Sequence, residues 1–250
     1  MGASGAPASS GGGMLLVDKP RDWTSHDVVA VLRKLFPRGT KVGHTGTLDP
    51  LATGLLAVLV GPCTRLQSRL QGFDKVYSGT IRLGVKTDTA DIMGKTIAEK
   101  PVPPLTLERL RSELAALVGA IETPAPAYSA VKHKGKALYE YARAGLEVPV
   151  KPRTATVYSW EALTWESPEL THRVACASGT YVRSIAEVLG DRLGCGGTVS
   201  SLRREKIGPF DIVDALPLDA ARALAPAALA ERLLHSLPAL DRALKATPIK

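Results

Sequence analysis

The twelve residues GHTGTLDPLATG, Gly43 to Gly54, gather groups that could do chemistry. Asp49 is the single carboxylate of the stretch, set between a glycine- and threonine-rich turn and Pro50. Leu48 and Leu51 flank it with apolar bulk, Gly43 and Gly46 leave backbone room for a ligand, and His44, Thr45 and Thr47 add donors. A carboxylate partly withdrawn from water becomes basic and nucleophilic unless a cation holds it ionised. The ordinary alternative is a turn or helix start, in which the aspartate accepts backbone N–H bonds and the proline fills a first-turn position. A candidate cation is Arg183 in SGTYVRSI. It stands at the start of a predicted helix, where the macrodipole disfavours positive charge, so a partner elsewhere is expected.

These groups need elements to position them. MLLVDKP reads as a short strand stopped by Lys19 and Pro20. TSHDVVAVLRKLF then reads as a helix capped at Thr24 or Ser25, with Val28, Val29, Leu32 and Leu35 or Phe36 inward. LLAVLVG, just after Asp49, is a continuous apolar run of the kind that fills a strand covered on both faces. KVYSGTIRLGV alternates with period two. TLERLRSELAALVG predicts an amphipathic helix capped by Thr106, with Glu108 and Glu113 on its polar side and Gly119 as its stop. HRVACASGTYVRSIAEVLGDRLG predicts a strand, a break at Gly179 and Thr180, and a helix with Ile185, Val188, Leu189 and Leu193 inward. With no repeat and no clear linker, the pattern predicts one α+β domain on a substantial mixed sheet.

At 250 residues and 45% hydrophobic, the chain can bury a core without staples. Cys63, Cys176 and Cys195 are far apart and form no C-x-x-C pair, which argues for free thiols in a reducing compartment and against a zinc knuckle. No apolar run approaches the roughly 20 residues of a membrane helix. The first thirteen residues have neither charge nor an apolar core, so they read as a flexible tail rather than a signal. TDTADIMG holds Asp88 and Asp91, but their spacing to Gly94 does not fit a calcium loop.

The formal net charge is +8, which suggests a polyanionic partner. Lys132, Lys134, Lys136, Arg143, Lys151 and Arg153 stand against Glu140 and Glu147 between positions 132 and 153. Six minus two leaves +4, half the excess of the whole chain. Tyr128, Tyr139 and Tyr141 are interleaved with these charges, a composition suited to phosphates and to the exposed bases of single-stranded RNA loops.

The blocks MLLVDKPRDWTSHDVV, KVGHTGTLDPLATGLLAVLVGPCTRL, DKVYSGTIRLGVKTDTADIMG, TPAPAYSAVKHKGKALYEYARAGLEV and ASGTYVRSIAEVLG resemble, in order, the motifs of the bacterial TruB pseudouridine synthases. The resemblance covers about Met14 to Val213. It implies a pseudouridine synthase fold, a mixed and largely antiparallel sheet flanked by helices with an inserted RNA-binding thumb. It also implies a stand-alone enzyme, working without guide RNA or cofactor, that converts the T-loop uridine at position 55 of tRNA to pseudouridine. By the same matching Asp49 is the catalytic carboxylate, Arg183 its partner, and Tyr77 the ring that stacks on the flipped base. His44 fills the place the base vacates, and Asp91, Tyr181 and Leu202 line the pocket. The charge of the thumb segment, rather than the matching, makes Lys132, Lys134, Lys136, Lys151 and Arg153 the expected contacts to the RNA backbone.

The implied organisation is a tail over 1–13, a catalytic domain over 14–215 with the thumb at about 123–153, and a helical tail over 216–250. The implied setting is a cytoplasmic monomer with tRNA as partner, no membrane and no obligate protein partner, an organellar location being the alternative left open. Two departures stand out. Longer members carry a C-terminal RNA-binding domain that is expected to be missing here, and Arg65 replaces a lysine of many relatives. The competing readings are a guide-dependent relative of the dyskerin type and a non-catalytic RNA chaperone.

Overall fold

The computed structural model describes residues 12–124, 128, 132–133, 135–146, 148 and 152–233. The chain divides into two compact units, residues 1–73 with 203–250, and residues 74–202.

The first unit opens with β1 (Gly13–Lys19), α1 (Ser25–Arg33), β2 (Val42–His44) and β3 (Thr53–Val60), followed by a 3₁₀ turn (Gly61–Leu66) and α2 (Gln67–Gln71). α1 starts where the sequence predicts. Thr24 Oγ1 accepts the Asp27 N–H while the Asp27 carboxylate accepts the Thr24 N–H, a reciprocal cap. Val28, Val29 and Leu32 are buried, but the helix stops at Arg33, so Leu35 and Phe36 fall outside it and are half-buried.

β3 pairs antiparallel with β1, from Gly13 opposite Val60 to Lys19 opposite Gly54, and with β2 along its other edge. Leu55, Ala57 and Leu59 pack with Met14, Leu16, Cys63, Leu66, Leu70 and Phe73. Leu56 and Val58, on the opposite face, are equally inaccessible. Burial on both faces is why this strand is a continuous apolar run.

The second unit contains β4 (Lys75–Leu83), β5 (Val85–Thr87), β6 (Thr96–Glu99), α3 (Leu107–Ala115), β7 (Gly119–Thr123), β8 (Lys132–His133), β9 (Lys136–Ala137), α4 (Leu138–Arg143), β10 (Arg153–Glu166), β11 (Glu169–Cys176) and α5 (Val182–Arg192). β4, β11, β10 and β7 pair in that order, all antiparallel. The period-two run does not continue through position 85. Gly84, at φ +87, ends β4, and a Cβ there would stand 2.9 Å from Val102.

Two further expectations are corrected. Gly119 does not close α3, which ends at Ala115, but begins β7. Glu113 is not on a solvated face. It is buried, and its carboxylate is shared between Arg192 of α5, the main cause, and Arg109, one turn away, which hold it below the usual carboxylate range.

The paired ends of β7 and β10, Thr123 opposite Arg153, bracket the basic segment, and Thr123 Oγ1 donates to the Arg153 carbonyl. Within that segment β8 and β9 form a small hairpin that leads into α4.

The chain returns to the first unit inside β12 (Gly197–Ile207), whose early residues Ser200 and Ser201 bond to Thr80 of β4 and whose Arg203 and Arg204 pair in parallel with Thr53 and Gly54 of β3. β13 (Phe210–Asp211), β14 (Leu216–Pro217), α6 (Leu218–Ala223) and α7 (Pro226–Glu231) follow. β14 lies parallel to β1.

Candidate active site

Asp49 sits in the turn between β2 and β3, and its neighbours are pinned from several directions. Thr45 N–H donates to the Ala57 carbonyl. The Gly46 carbonyl accepts from Arg204, and both polar backbone groups of Leu48 bond to Ser25. The Pro50 carbonyl accepts from the Asp22 N–H and from Lys19, and the Asp49 carbonyl accepts the Ala52 N–H. Leu48 and Leu51 are buried on either side of a half-buried Asp49. The backbone is thus committed to the protein, while the residue that carries the carboxylate is only half-buried. A group meant to meet a ligand needs that division.

Two cations of this unit escaped sequence reasoning. Lys19 is fully inaccessible, and its ammonium donates to the carbonyls of Pro20 (2.9 Å), Trp23 (2.6 Å) and Pro50 (3.4 Å). Burial lowers its pKa to about 8, against the attraction of Asp49 and Asp22. It therefore places positive charge behind the Asp49 turn. Arg204 is the second, equally buried. Neither had a local signal, because a lysine or arginine on a strand reads as solvent-facing until its neighbours are known.

His44, at the end of β2, is half-buried, and its Nδ1 accepts the Gly46 N–H at 3.3 Å. Burial, then the charges of Arg204 and His26, hold its pKa below the ordinary imidazole value.

In the second unit Arg183 occupies the first turn of α5 and is 3% exposed. Its Nη1 donates to the Thr89 carbonyl at 2.6 Å and lies 3.7 Å from Asp91 Oδ2, and its Nη2 donates to the Tyr128 carbonyl at 3.0 Å. Asp91 in turn accepts the Thr89 hydroxyl (2.8 Å) and the Met93 N–H (3.1 Å) on Oδ1. TDTADIMG is therefore a turn folded around the Asp91 carboxylate, and Asp91 is a charged partner of Arg183 within its unit.

Tyr77 is buried in β4, opposite Val174 of β11, Tyr181 caps the start of α5 half-buried, and Leu202 is buried on β12. His44 and Asp49 thus belong to the first unit and Tyr77, Asp91, Tyr181, Arg183 and Leu202 to the second.

Of the basic segment, Lys136 and Arg153 are exposed, whereas Lys134, Lys151 and the side chain of Lys132 lie outside the described residues. A second basic region was legible but missed. From Val28 to Phe73 Asp49 is the only carboxylate, against six basic residues, Arg33, Lys34, Arg38, Lys41, Arg65 and Arg69. All but the half-buried Arg69 are exposed. Charge segregation of this kind around one acidic group favours a polyanion. Among the described residues no cluster of His, Cys, Asp and Glu could hold a metal, and no helix is long and apolar enough to cross a membrane.

The model of the TruB family pseudouridylate synthase N-terminal domain matches residues 33–182. A tRNA pseudouridine synthase B of Aromatoleum aromaticum is 49% identical over 91% of this chain and 73% of its own length. One of Opitutus terrae is 45% identical over 89% of this chain and 92% of its own. Among solved structures, the crystal structure of a Cbf5–Nop10–Gar1 complex matches with a TM-score of 0.65 and 29% identity over 84% of this chain, which spans 53% of that one. A structure of an H/ACA RNP bound to a substrate RNA matches with a TM-score of 0.62 at 27% identity, and there too the chain spans about half, 52%, of the solved one.

The fold, a largely antiparallel sheet with helices, is that of a pseudouridine synthase. Within that class the chain belongs to the TruB family of pseudouridylate synthases.

Proposed function

We propose that this protein isomerises uridine to pseudouridine in tRNA, acting alone on the T-loop uridine at position 55. The observation that carries the reading is Asp49, a half-buried carboxylate on a turn whose backbone is held by Ser25, Lys19 and Arg204. The names of relatives 42–49% identical to the chain support tRNA as the substrate class. The solved Cbf5 complexes, at lower identity, make guide-dependent action the second reading.

The reaction takes nothing from outside the substrate beyond a proton exchange. The bond from N1 of uracil to the ribose breaks, the base turns within the pocket, and C5 is joined to the same sugar carbon. N1 gains a proton as C5 loses one. Asp49 initiates this as the ionised carboxylate, and Lys19 and Arg183 favour that ionised form. The base must leave its stack to be reached, and a flipped base is held by stacking and by polar contacts. Tyr77 supplies the stacking face, and Tyr181 and Leu202 complete the pocket wall. Asp91 orients Arg183 through their ion pair. His44 occupies the place of the displaced base.

The RNA backbone runs over Lys132, Lys134, Lys136, Lys151 and Arg153 on the segment between β7 and β10, and over the basic stretch from Arg33 to Arg69. In this reading residues 14–215 form the catalytic domain, and the protein works as a monomer in the cytoplasm.

Purified protein incubated with unmodified tRNA, without guide or partner, tests the reading. Pseudouridine should form at the T-loop position with wild-type protein and not with Asp49→Asn, while RNA binding by that variant stays near normal. No product from the wild type alone would turn the assignment towards a guided enzyme. Full turnover by Asp49→Asn would remove Asp49 from the chemistry.

A further inference from the structure

Arg204 is among the largest side chains that the protein buries completely, at 1% exposure. A buried guanidinium is stable only when hydrogen-bonded. Its Nε donates to the Leu55 carbonyl at 2.7 Å and its Nη2 to the Gly46 carbonyl at 3.2 Å. Gly54 permits the approach. It is paired in parallel with Arg204, and a Cβ on it would stand 2.4 Å from the Arg204 carbonyl oxygen.

Gly46, at φ +135, uses its other polar group as well, since its N–H donates to His44 Nδ1. One residue therefore links the guanidinium to the imidazole. With its lone pair taken by that N–H, Nδ1 cannot also carry a proton, and the ring is left with its proton on Nε2.

We propose that Arg204 is a positioning residue: its hold on Gly46 fixes the turn that carries Asp49 and keeps His44 as one neutral tautomer, protonated on Nε2. That tautomer is the useful one at a vacated base position. A neutral ring stacks between bases without the desolvation cost of an imidazolium, and Nε2–H remains able to donate to the RNA. The charges that act on the ring are those of Arg204 and His26; the elements packed against β2 carry besides Asp27 and Arg33 on α1 and Arg65 on the 3₁₀ turn, while β3 carries no titratable group. Burial and the Arg204 charge both act against protonation. The role assigned to the ring in RNA rests on the pseudouridine synthase reading, but the tautomer does not.

The test is nitrogen-15 imidazole spectroscopy of the free protein from about pH 5 to 8, the range in which histidines titrate, with the His44 signal assigned by its loss in His44→Gln. Wild-type His44 should show an unprotonated Nδ1, a protonated Nε2 and a midpoint below 6.5. In Arg204→Met both tautomers should be populated and the midpoint should rise towards 6.5. In Arg204→Lys the charge is kept, so the midpoint stays low, while the single tautomer is lost because one ammonium cannot reproduce the planar fork.

Turnover at saturating RNA should fall about 10- to 100-fold in both variants through misplacement of the turn. A wild-type ring protonated on Nδ1 would overturn the proposal without any variant, as would a folded Arg204→Met with wild-type tautomer and titration. If Arg204→Met does not fold, the wild-type spectrum and Arg204→Lys decide. Because the spectra are recorded without RNA, failure of the wild type to make pseudouridine would sink the functional reading and leave this one standing.

Discussion

Ser25 Oγ accepts the Leu48 N–H at 2.8 Å and donates to the Leu48 carbonyl at 3.2 Å, so one hydroxyl at the start of α1 satisfies both polar backbone groups of the residue before Asp49. Ser25 is 1% exposed and Leu48 3%, so water cannot substitute for either bond. The placement of Asp49 is thereby tied, through Leu48, to a serine 23 residues before that leucine.

Ser25→Ala tests that tie. It leaves a buried N–H and a buried carbonyl without their partner, a loss of about 1–3 kcal/mol, and for a chain of this size that lowers Tm by about 2–4 °C per kcal/mol. Turnover should fall more than RNA affinity, because the turn would be loosened while the basic surfaces stay intact. Thermal melts and single-turnover rates on tRNA check both parts. A variant with wild-type Tm and rate would show the bonds to be incidental.

Arg183→Lys should lose activity although it keeps the charge. The guanidinium divides its two terminal nitrogens among Thr89, Tyr128 and Asp91, and a point ammonium cannot hold that geometry. Loss of one charge-assisted bond of about 1.5–3 kcal/mol corresponds to roughly 10- to 100-fold in rate. Wild-type turnover in this variant would remove the arginine from the site.

The two basic regions can be separated by salt dependence. Neutralising Lys132, Lys136 and Arg153 together, and in a second variant Arg38, Lys41 and Arg65, should each flatten the slope of log affinity against log salt. The change should be about 0.7–0.9 for every phosphate that is no longer neutralised. Rates at saturating RNA should change far less, since such contacts bind ground state and transition state alike. Whichever triple variant keeps the wild-type slope does not carry RNA.

His172 makes stability fall in acid. It is fully buried, with Trp160 Nε1 donating to its Nδ1 at 3.0 Å and its Nε2 unpartnered among the described residues, and burial lowers its pKa to about 4. The unfolded imidazole takes its proton near pH 6.5, whereas the folded one stays neutral down to about 4. Between those values the unfolded state binds more protons, so stability drops as pH falls, by up to about 1.4 kcal/mol per pH unit. Above pH 6.5 that slope fades over about one pH unit, as the unfolded imidazole loses its proton. Urea unfolding at pH 7, 6 and 5 measures this, and His172→Phe, which cannot titrate, should lose that part of the slope. An identical slope in the variant would assign the acid sensitivity to other groups.

What the sequence by itself determined is what depends on near neighbours. The Thr24–Asp27 cap, the helical spacing of Val28, Val29 and Leu32, and the unbroken apolar run of β3 are local, and each is in place. The GHTGTLDPLATG motif is contiguous, so the resemblance could single out Asp49 from the text alone. The charge segregation from Val28 to Phe73 was equally readable.

Tertiary structure decided the rest. Lys19, Arg204 and Glu113 are polar residues whose types favour solvent; Arg204 and Glu113 are buried because segments distant in sequence bring them carbonyls or opposite charges, and Lys19 adds the Pro50 carbonyl, 31 positions away, to two local ones. The pairing of Arg183 with Asp91 depends on the α5 start meeting the turn after β5, and the hold of Arg204 on Gly46 crosses 158 positions. Such bonds leave no periodicity and no spacing in the chain. They arise when packing removes water from a charged group and the surrounding backbone must supply its hydrogen bonds, a condition that exists only once the elements are assembled.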